Sequence, residues 1–474
     1  MSSYLSFKNI TDVLNYIADH AIEYVTFNFT DTKGKLQHTQ YHFTKVDKDL
    51  LNDGFYFDGS SIAGWRPINK SDMCLRPDIT RAYIDPYAAQ PTLGIFCDVV
   101  TPEGDPYEKD PRSIAKKAEK YMKSTGIADS ALFGPEPEFF VFNDVRYKTG
   151  SHGSSYIVDG DESPVNSDKE YTHGNTGHRP GVKGGYFPVP PVDSLNDLRA
   201  QIMSDMKSLG VEVEKHHHEV APSQCELGIT ADSILPCADN VQLYKYAVLQ
   251  TCNGFGYTAT FMPKPIFGDN GSGMHIHQSL RKGSKAIFAG KEYAGLSETA
   301  LFYIGGVIKH ARALNAFTNP TTNSYKRLVP GYEAPTLLAY SEYNRSAACR
   351  IPLSKGANAK RAEFRFPDPL ANPYLAFSAM LMAGLDGIEN KIHPGDAAEE
   401  DLYALTADQQ AEIPTVCGSL REALDSLRKD HDFLMKGDVF TKKMIDAYIE
   451  LKMEEVIQYE LRPHPVEFEM YYSS

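Results

Sequence analysis

The chain has 474 residues, and 48 Lys and Arg against 62 Asp and Glu give a formal net charge of −14. Apolar residues make up 42% and charged residues 23%, which is typical of folded globular proteins and excludes a disordered chain. The acidic balance argues against nucleic acid as a partner. No stretch reaches the roughly 18 consecutive apolar residues of a membrane helix, and the first residues lack a secretory pattern.

Residues 5–105 are expected to form mainly short strands. Residues 25–29 alternate apolar and polar side chains, and the turn formers at 31–34 predict a hairpin; residues 93–99 predict another strand. Pro111 suits the first turn of a helix, which we expect to run to residue 124. Because one hydrophobic core rarely grows beyond about 250–300 residues, we divide the chain into a small domain, 1–110, and a large one, 111–474.

In the large domain, a polar segment at 143–185 is expected to be loop, and strands are expected at 131–133 and on either side of Glu219. Helices are predicted at 195–209, 238–255, 296–315, 373–390, 418–430 and 437–459. Runs of strands followed by runs of helices favour an α+β fold with an antiparallel sheet over a doubly wound fold. The seven cysteines are well separated along the chain and odd in number, which predicts buried free thiols in a reducing cytoplasm.

Carboxylates spaced two residues apart in strand-like segments are the most informative pattern, because side chains at i and i+2 share a face of a strand. Glu136 and Glu138 stand before four apolar residues. Burying two like charges without a counter-ion would raise one pKa sharply, so the pair calls for a cation. The prolines at 135 and 137 leave a solvated turn as the alternative.

A second acidic group surrounds a predicted hairpin. His217 and Glu219 share a strand face, and a turn after Glu219 would bring it close to Glu226. We predict both glutamates as metal ligands with His217 beside them. Strand alternation sends His216 and His218 to the opposite face, where we expect plain packing.

Two further segments carry polar groups with apolar neighbours. A glycine-rich run at 268–273 precedes His275, His277 and Ser279, which share one strand face; a small ligand or an ordinary hairpin turn would both explain the glycines. The other segment is a basic group consisting of Arg327, Arg345, Arg350, Lys360, Arg361 and Arg365. It suits an inward-facing anion site, with a solvated basic surface as the alternative.

Together these residues indicate a chemistry. Oxygen-dominated ligation without thiolates selects Mg²⁺ or Mn²⁺ over zinc. Divalent ions with arginines are what phosphoryl transfer from a nucleotide requires, although the usual phosphate-binding loops GxxxxGK[ST] and GxGxxG are absent from the sequence. Arginines beyond a phosphate clamp suggest a carboxylate acceptor. The residues therefore predict a metal-dependent, ATP-using ligase or kinase that acts on an acid.

Several motifs in order resemble those of the type I glutamine synthetases of bacteria. They are FDGSSIAGW at 57–65, GPEPEF at 134–139, KGGYFP at 183–188, HHEVA at 217–221, NGSGMHIH at 270–277, KRLVPGYEAP at 326–335, NRS at 344–346 and RFPDP at 365–369. The resemblance runs almost end to end. It implies an N-terminal β-grasp-like domain, a C-terminal catalytic domain with a curved antiparallel sheet and flanking helices, and a homododecamer of two stacked hexameric rings with active sites between subunits.

The resemblance also implies the reaction and its residues. ATP phosphorylates the side-chain carboxylate of L-glutamate, and ammonia displaces phosphate from γ-glutamyl phosphate to give L-glutamine. The matching metal ligands, for Mg²⁺ or Mn²⁺, are Glu136, Glu138, Glu219, Glu226, His275 and Glu363. The matching glutamate-binding positions are Asn270, Gly271, Arg327, Glu333, Arg345 and Arg365. The matching ATP contacts are Glu214, His277, Ser279, Arg345 and Arg350.

Catalysis is implied for Asp58, Glu333 and Arg345: Asp58 would deprotonate ammonium in a neighbouring subunit's site, and Glu333 would shield the intermediate from water. Tyr403 matches a tyrosine that accepts AMP from an adenylyltransferase, although its flanking residues depart from the family pattern. Asn358 stands where a nucleotide-contacting lysine is usual, and Lys360 is a candidate substitute. A γ-glutamyl–amine ligase of the same fold and a non-catalytic scaffold are the alternatives; Asp58 and the six filled ligand positions favour the ammonia-using enzyme.

Overall fold

The computed structural model describes residues 4–163, 175–329, 332, 334–400, 402 and 405–474. Its first part is a mixed sheet in the order β2–β1–β5–β4–β3, with the pair β1 and β5 parallel and its other pairs antiparallel. The strands are β1 (Tyr24–Thr30), β2 (Leu36–His42), β3 (Phe55–Asp58), β4 (Asp72–Ile84) and β5 (Thr92–Val100). Two helices, α1 (Ile10–Asp19) and α2 (Lys48–Asp53), accompany this sheet.

The second part contains a larger sheet in the order β15–β16–β17–β13–β6–β10–β9, with β11 and β12 paired to β6 and β14 paired to β13. Its strands are β6 (Ser130–Phe142), β9 (Val213–His218), β10 (Gln224–Ile229), β11 (Asp232–Ser233), β12 (Thr258–Thr260), β13 (Met274–Lys282), β14 (Lys285–Ala286), β15 (Tyr340–Glu342), β16 (Cys349–Ile351) and β17 (Ala362–Phe364). Pairing is antiparallel apart from β15 with β16, so the predicted α+β fold with an antiparallel sheet is confirmed.

Helices accompany this sheet, and α5, α6 and α8 bury the longest apolar faces, whereas α13 has no buried residue. They are α3 (Pro111–Thr125), α4 (Asn196–Ser208), α5 (Ile234–Gly254), α6 (Glu298–Thr318), α7 (Ser324–Arg327), α8 (Pro373–Glu389), α9 (Ala407–Ala411), α10 (Leu420–Lys429), α11 (Asp432–Met435), α12 (Lys442–Glu460) and α13 (Pro465–Tyr471). The predicted helices of the large domain are thus confirmed to within a few residues at each end.

Both ends of α3, the helix predicted to begin at Pro111, have capping residues that the sequence reveals. The Asp110 side chain accepts hydrogen bonds from the backbone N–H groups of Arg112 and Ser113, at 3.3 and 3.1 Å. Pro111 occupies the first helical position, where its missing N–H costs nothing. Gly126 ends the helix in a left-handed conformation.

One expectation was wrong. The segment 143–185 contains a hairpin of β7 (Asp144–Gly150) and β8 (Gly153–Asp159) rather than only loop. Most of its side chains are exposed on both faces of the hairpin, so its sequence lacks the apolar alternation by which a half-buried strand is recognised. The seven cysteines are buried free thiols, as expected.

A buried ion network joins the two sheets. The Asp239 carboxylate on α5 is fully buried and accepts hydrogen bonds from Arg81 of β4 and Arg112 of α3, with Nε–O distances of 2.9 and 3.2 Å. Arg112 also binds Asp98 of β5 at 2.7 Å. The domain division at residue 110 stays a prediction, and this network crosses it. Among the helices of the described ranges, we find none with the length and hydropathy that crossing a membrane requires.

Candidate active site

A cavity of about 340 Å³ opens on the larger sheet, and its lining is strongly polar. The predicted site residues that line it are Glu136, Glu138, Glu219, Glu226, Asn270, Gly271, His275, His277, Arg327, Arg345, Arg350, Glu363 and Arg365. They come from β6, β10, β13, β16 and β17, from the end of α7 and from loops. The side-chain alternation along β13 sends His275 and His277 to the cavity while Met274, Ile276 and Gln278 are buried in the core.

One acidic group forms where β9, β10 and β6 run side by side. Glu226 lies opposite His217 on β9 and opposite Glu138 on β6. Ligand atoms of His217, Glu219 and Glu226 lie within 4.8 Å of one another. The pKa of the Glu138 carboxyl is raised well above its ordinary value, first by burial and then by the charges of Glu219 and Glu226. Such crowding of carboxylates is relieved by a cation.

A second group lies farther along the same sheet. Ligand atoms of Glu136, His277 and Glu363 also lie within 4.8 Å of one another, and His275 Nδ1 is 3.9 Å from Glu136 Oε2 and 3.7 Å from Glu363 Oε1. His277 Nδ1 accepts a hydrogen bond from Arg361 Nε at 3.1 Å, so Nε2 carries the ring proton and faces Glu136 at 3.4 Å.

The surroundings of His275 disfavour its charged form. Burial and the charges of Arg365 and Arg327 hold the pKa of His275 well below its ordinary value. The ring is therefore neutral near pH 7, which is the form of histidine that binds metals.

The arginines surround the second group. The Arg327 guanidinium is fixed by hydrogen bonds to the backbone oxygens of Phe366, Pro367 and Arg365, at 2.9, 3.2 and 3.0 Å. Arg350 Nη1 donates to Glu363 Oε2 at 2.7 Å. Among the described residues, Asn270 Oδ1 and Arg365 Nη1 are buried with no hydrogen-bond partner. Buried polar atoms are ordinarily paired, so these two atoms mark a place where a polar ligand fits.

Comparison with known proteins gives one family. The model of the glutamine synthetase catalytic domain matches residues 108–471, and that of the glutamine synthetase β-grasp domain matches residues 21–102. The chain belongs to the glutamine synthetase family. The predicted glutamine synthetase family is therefore confirmed, as are the β-grasp-like N-terminal domain and the prediction of an enzyme.

Relatives match over nearly the full chain. A glutamine synthetase from Azospirillum brasilense is 62% identical over 98% of this chain and 100% of its own. A protein from Cupriavidus pinatubonensis named 3-hydroxylaminophenol mutase is 56% identical over 98% of this chain and 99% of its own. Among solved structures, the Plasmodium falciparum glutamine synthetase is similar with a TM-score of 0.91 and 32% identity, covering both chains completely.

Some residues assigned from the glutamine synthetase motifs stand outside the cavity lining. Glu214 is exposed on β9 and Ser279 is half-buried on β13, so their nucleotide contacts stay predictions. Asp58 lies at the exposed end of β3, where hydrogen bonds from Ser60 and Ser61 lower the pKa of its carboxyl. Glu333 and Tyr403 lie outside the described residues.

Asn358 likewise does not line the cavity, and neither does Lys360, the candidate substitute for the usual glutamine synthetase lysine. The Lys360 ammonium group instead contacts the backbone oxygen of Ala294. Arg361 is the cation of this segment that reaches the cavity.

The sequence patterns missed other residues that line the cavity, including Tyr186, Lys215, Gln224, Tyr332 and Leu353. Gln224 has a clear role, because its Nε2 donates to Glu138 Oε2 at 2.9 Å and to the Gly271 oxygen at 3.1 Å. Its position between two ligand candidates on one hairpin was the available signal. Tyr186 belongs to the KGGYFP motif, which carries part of the family resemblance.

Proposed function

We propose that this cavity makes L-glutamine from L-glutamate, ammonia and ATP. The γ-phosphoryl group forms a bond to the side-chain carboxylate of glutamate while its bond to ADP breaks. Ammonia then attacks the carbonyl carbon of γ-glutamyl phosphate, and phosphate leaves. The observation that carries the proposal is the pair of acidic groups that share one cavity with Arg327, Arg345 and Arg365.

We assign divalent cations to the acidic groups because the donor set fits them. Oxygen donors dominate, no thiolate lines the cavity among the described residues, and Mg²⁺ or Mn²⁺ prefers such ligands. Glu138, Glu219 and Glu226 would hold one ion, and Glu136, His275 and Glu363 a second. We prefer His275 to His277 as the ligand, since the proton on His277 Nε2 blocks that nitrogen. When bound, such ions supply positive charge to the anionic phosphoryl group.

The remaining residues bind and orient the substrates. Arg327 is held rigidly by three backbone oxygens, so it can bind an anion with little loss of side-chain freedom. Asn270 Oδ1 suits the α-ammonium group of glutamate, and Arg365 Nη1 suits a carboxylate or phosphate oxygen. Arg345 and Arg350 are assigned to ATP, with Glu214, His277 and Ser279 as further contacts. Arg345 also acts in phosphoryl transfer, and Glu333 would keep water from the acyl phosphate.

Gly271 has a steric role in this binding site. A Cβ added at this residue would lie 2.3 Å from the backbone oxygen of Pro263. The loop therefore needs glycine here to pass close to the backbone of Pro263.

Asp58 would take the proton from ammonium, which is not nucleophilic until it loses one. Because Asp58 is exposed and outside the cavity lining of its own chain, we assign it to the site of a neighbouring subunit. A homododecamer of two stacked hexamers would provide that neighbour. The exposed apolar side chains of α13, among them Phe468 and Met470, would be covered in such an assembly.

Two further assignments complete the proposal. The seven buried free thiols suit a cytoplasmic enzyme. Tyr403 would accept AMP from an adenylyltransferase, and intact-mass analysis of the protein from nitrogen-replete cells should find the adduct on this residue. A protein without any adduct under those conditions would contradict the modification and leave the reaction untouched.

The reaction is tested by measuring glutamine formed from glutamate, ammonium and ATP with Mg²⁺ or Mn²⁺. Wild type should form glutamine, and Glu363→Ala should lose nearly all turnover while keeping its oligomeric state by size exclusion. Glu460→Ala, which changes an exposed glutamate on α12, is the matched control and should remain active. No phosphate release by wild type would favour a scaffold protein, and a large preference for an amine over ammonium would favour a γ-glutamyl–amine ligase.

A further inference from the structure

A buried carboxylate outside the cavity is bonded to both ends of the turn that carries Glu219. Glu162 is only 2% exposed. Its Oε2 accepts a hydrogen bond from the Ser223 backbone N–H at 2.6 Å and lies 2.7 Å from His218 Nε2. Its Oε1 accepts hydrogen bonds from the backbone N–H and the hydroxyl of Ser194, at 3.1 and 2.7 Å. All four partners are donors, so this carboxylate is fully satisfied.

His218 connects this carboxylate to the main chain of Glu219. The ring is 1% exposed, and its Nδ1 lies 2.6 Å from the backbone oxygen of Glu219. A carbonyl oxygen and a carboxylate only accept hydrogen bonds. Both ring nitrogens of His218 therefore donate, and a continuous chain of charge-assisted bonds runs from Glu162 through His218 to Glu219.

The turn between β9 and β10 is held from several sides. Ser223 has a left-handed backbone with φ of 65°, and the Glu219 N–H bonds to the Gln224 oxygen at 2.9 Å. A Cβ added at Gly185 would lie only 2.5 Å from the Glu219 oxygen, so the segment carrying Gly185 covers that oxygen closely. The main chain of Glu219 is thus fixed on one side, while its carboxylate lies beside His217 and Glu226 in the cavity.

We propose that Glu162 and His218 are positioning residues that hold the 219–223 turn so that the Glu219 carboxylate is presented to a divalent cation. This inference deepens the proposed function and rests on it. Neither residue lines the cavity, so both act through Glu219. The expectation of plain packing for His218 was therefore too simple, because the ring is buried through two polar contacts.

A metal ion within this cluster is the competing interpretation. Ligand atoms of Glu162, Asp193 and His218 lie within 4.8 Å of one another. However, the fully buried Arg199 guanidinium bonds to Asp193, and the His218 ring donates to Glu162. The two carboxylates therefore already have two cationic partners, which makes the cluster an ion-paired support rather than a further cation site.

The test is a titration of the full-length, chelator-treated protein with Mn²⁺. Electron paramagnetic resonance measures the concentration of free Mn²⁺ at each step. Glu162→Gln keeps the size of the side chain but replaces one carboxylate oxygen by an NH₂ group. Both oxygens of Glu162 accept hydrogen bonds, so the NH₂ group would face donors and could not accept from them. We expect one class of Mn²⁺ sites to weaken by about 10- to 100-fold, the range found when residues supporting metal ligands are changed, with the other class unchanged. The matched control is Asp193→Asn, which alters the same buried cluster without touching the turn and should bind Mn²⁺ within about twofold of wild type.

Glu219→Gln separates this inference from the proposed function. If Glu219→Gln binds Mn²⁺ as wild type does, the assignment of Glu219 as a ligand fails. If Glu219→Gln loses one class of sites and Glu162→Gln binds normally, only the positioning role is overturned. Equal weakening in Asp193→Asn would also overturn it, since the effect would then be a general loss of packing.

Folding of the variants is checked by circular dichroism. Should Glu162→Gln not fold, His218→Gln keeps a donor toward Glu162 but removes the donor to the Glu219 oxygen. The same weakening of one Mn²⁺ class is expected, and normal binding by this variant would overturn the inference.

Discussion

Nη1 of Arg350 donates a hydrogen bond of 2.7 Å to Oε2 of Glu363, and the two residues lie directly opposite each other on β16 and β17. A cation assigned to the nucleotide is therefore bonded to a carboxylate assigned to a metal. The Glu363 side chain is almost fully buried and Arg350 is partly exposed. The pair places the positive charge of Arg350 where the residues assigned to the nucleotide meet those assigned to the metal.

Arg350→Met should affect these two functions in opposite directions. Hydrogen bonds to charged groups contribute about 1.5–3 kcal/mol, so the KM for ATP should rise by about 10- to 100-fold when the guanidinium is lost. The Glu363 carboxylate would lose this cationic partner, so Mn²⁺ binding should become tighter. Steady-state kinetics and Mn²⁺ titration measure the two effects. Arg421→Met, which removes an exposed partner of Glu460, is the control, and weaker Mn²⁺ binding in Arg350→Met would contradict the argument.

Gly271→Ala should impair glutamate binding for a steric reason. The added Cβ would meet the backbone oxygen of Pro263 at 2.3 Å, so the loop must shift beside Asn270. We expect the KM for glutamate to rise at least tenfold, while the thermal midpoint falls only slightly. Gly254→Ala is the matched control, because its Cβ would meet nothing within 4 Å and alanine favours the helix. A wild-type KM in Gly271→Ala would show that the loop can yield without cost to binding.

Asp239→Asn should destabilise the protein strongly. This carboxylate is fully buried and accepts hydrogen bonds from Arg81, Arg112 and Tyr374, so its loss leaves two buried guanidinium groups without their shared counter-charge. Breaking a buried ion pair in this way costs about 3–5 kcal/mol. Urea unfolding monitored by circular dichroism should show the loss. Asp425→Asn, at the exposed pair with Arg428, should change stability by less than about 1 kcal/mol; equal effects would contradict this account.

Asp110 should make stability depend on pH in a defined window. Burial, followed by the charge of Asp98, raises the pKa of the Asp110 carboxyl to about 6 from 3.8. The folded state therefore holds this proton more tightly than the unfolded chain does. The stabilisation of the folded state by this bound proton is fully present below about pH 4 and is lost as the pH rises through 6. Asp110→Asn removes the titration, so its free energy of unfolding relative to wild type should rise by about 2–3 kcal/mol between pH 4 and pH 7.

The measurement is urea unfolding of both proteins at several pH values, in which the other titrating groups cancel. Asparagine still caps a helix well, so the variant should fold. A difference between variant and wild type that stays flat from pH 4 to pH 7 would contradict the prediction. A difference that falls with rising pH would reverse the sign of the argument.

Much of the fold and of the site could be predicted because the signals are local. The turn at 31–34 lies between β1 and β2, and Pro111 begins α3. Side chains two residues apart share a strand face, which predicts a common face for Glu136 and Glu138 on β6 and for His275 and His277 on β13. The donor atoms alone indicated a hard divalent cation.

The contacts between distant segments could not be predicted from the residues alone. The β7–β8 hairpin has no buried face to mark its sequence, and only the pairing of Asp144 with Asp159 and of the residues between them defines it. The hydrogen bond between Gln224 and Glu138 joins residues on different strands. Lys360 contacts the backbone oxygen of Ala294 and does not line the cavity.

The sequence by itself determined which chemical groups were available, which of them share a strand face, and which family the chain resembles. Only the tertiary structure decided that Glu162 supports the turn of Glu219 and that Arg350 is bonded to Glu363. The reason is physical. Turns, caps and strand alternation depend on the steric and hydrogen-bonding preferences of neighbouring residues. The order of strands in a sheet and the partners of buried charges depend on burial and hydrogen bonding summed over the whole chain.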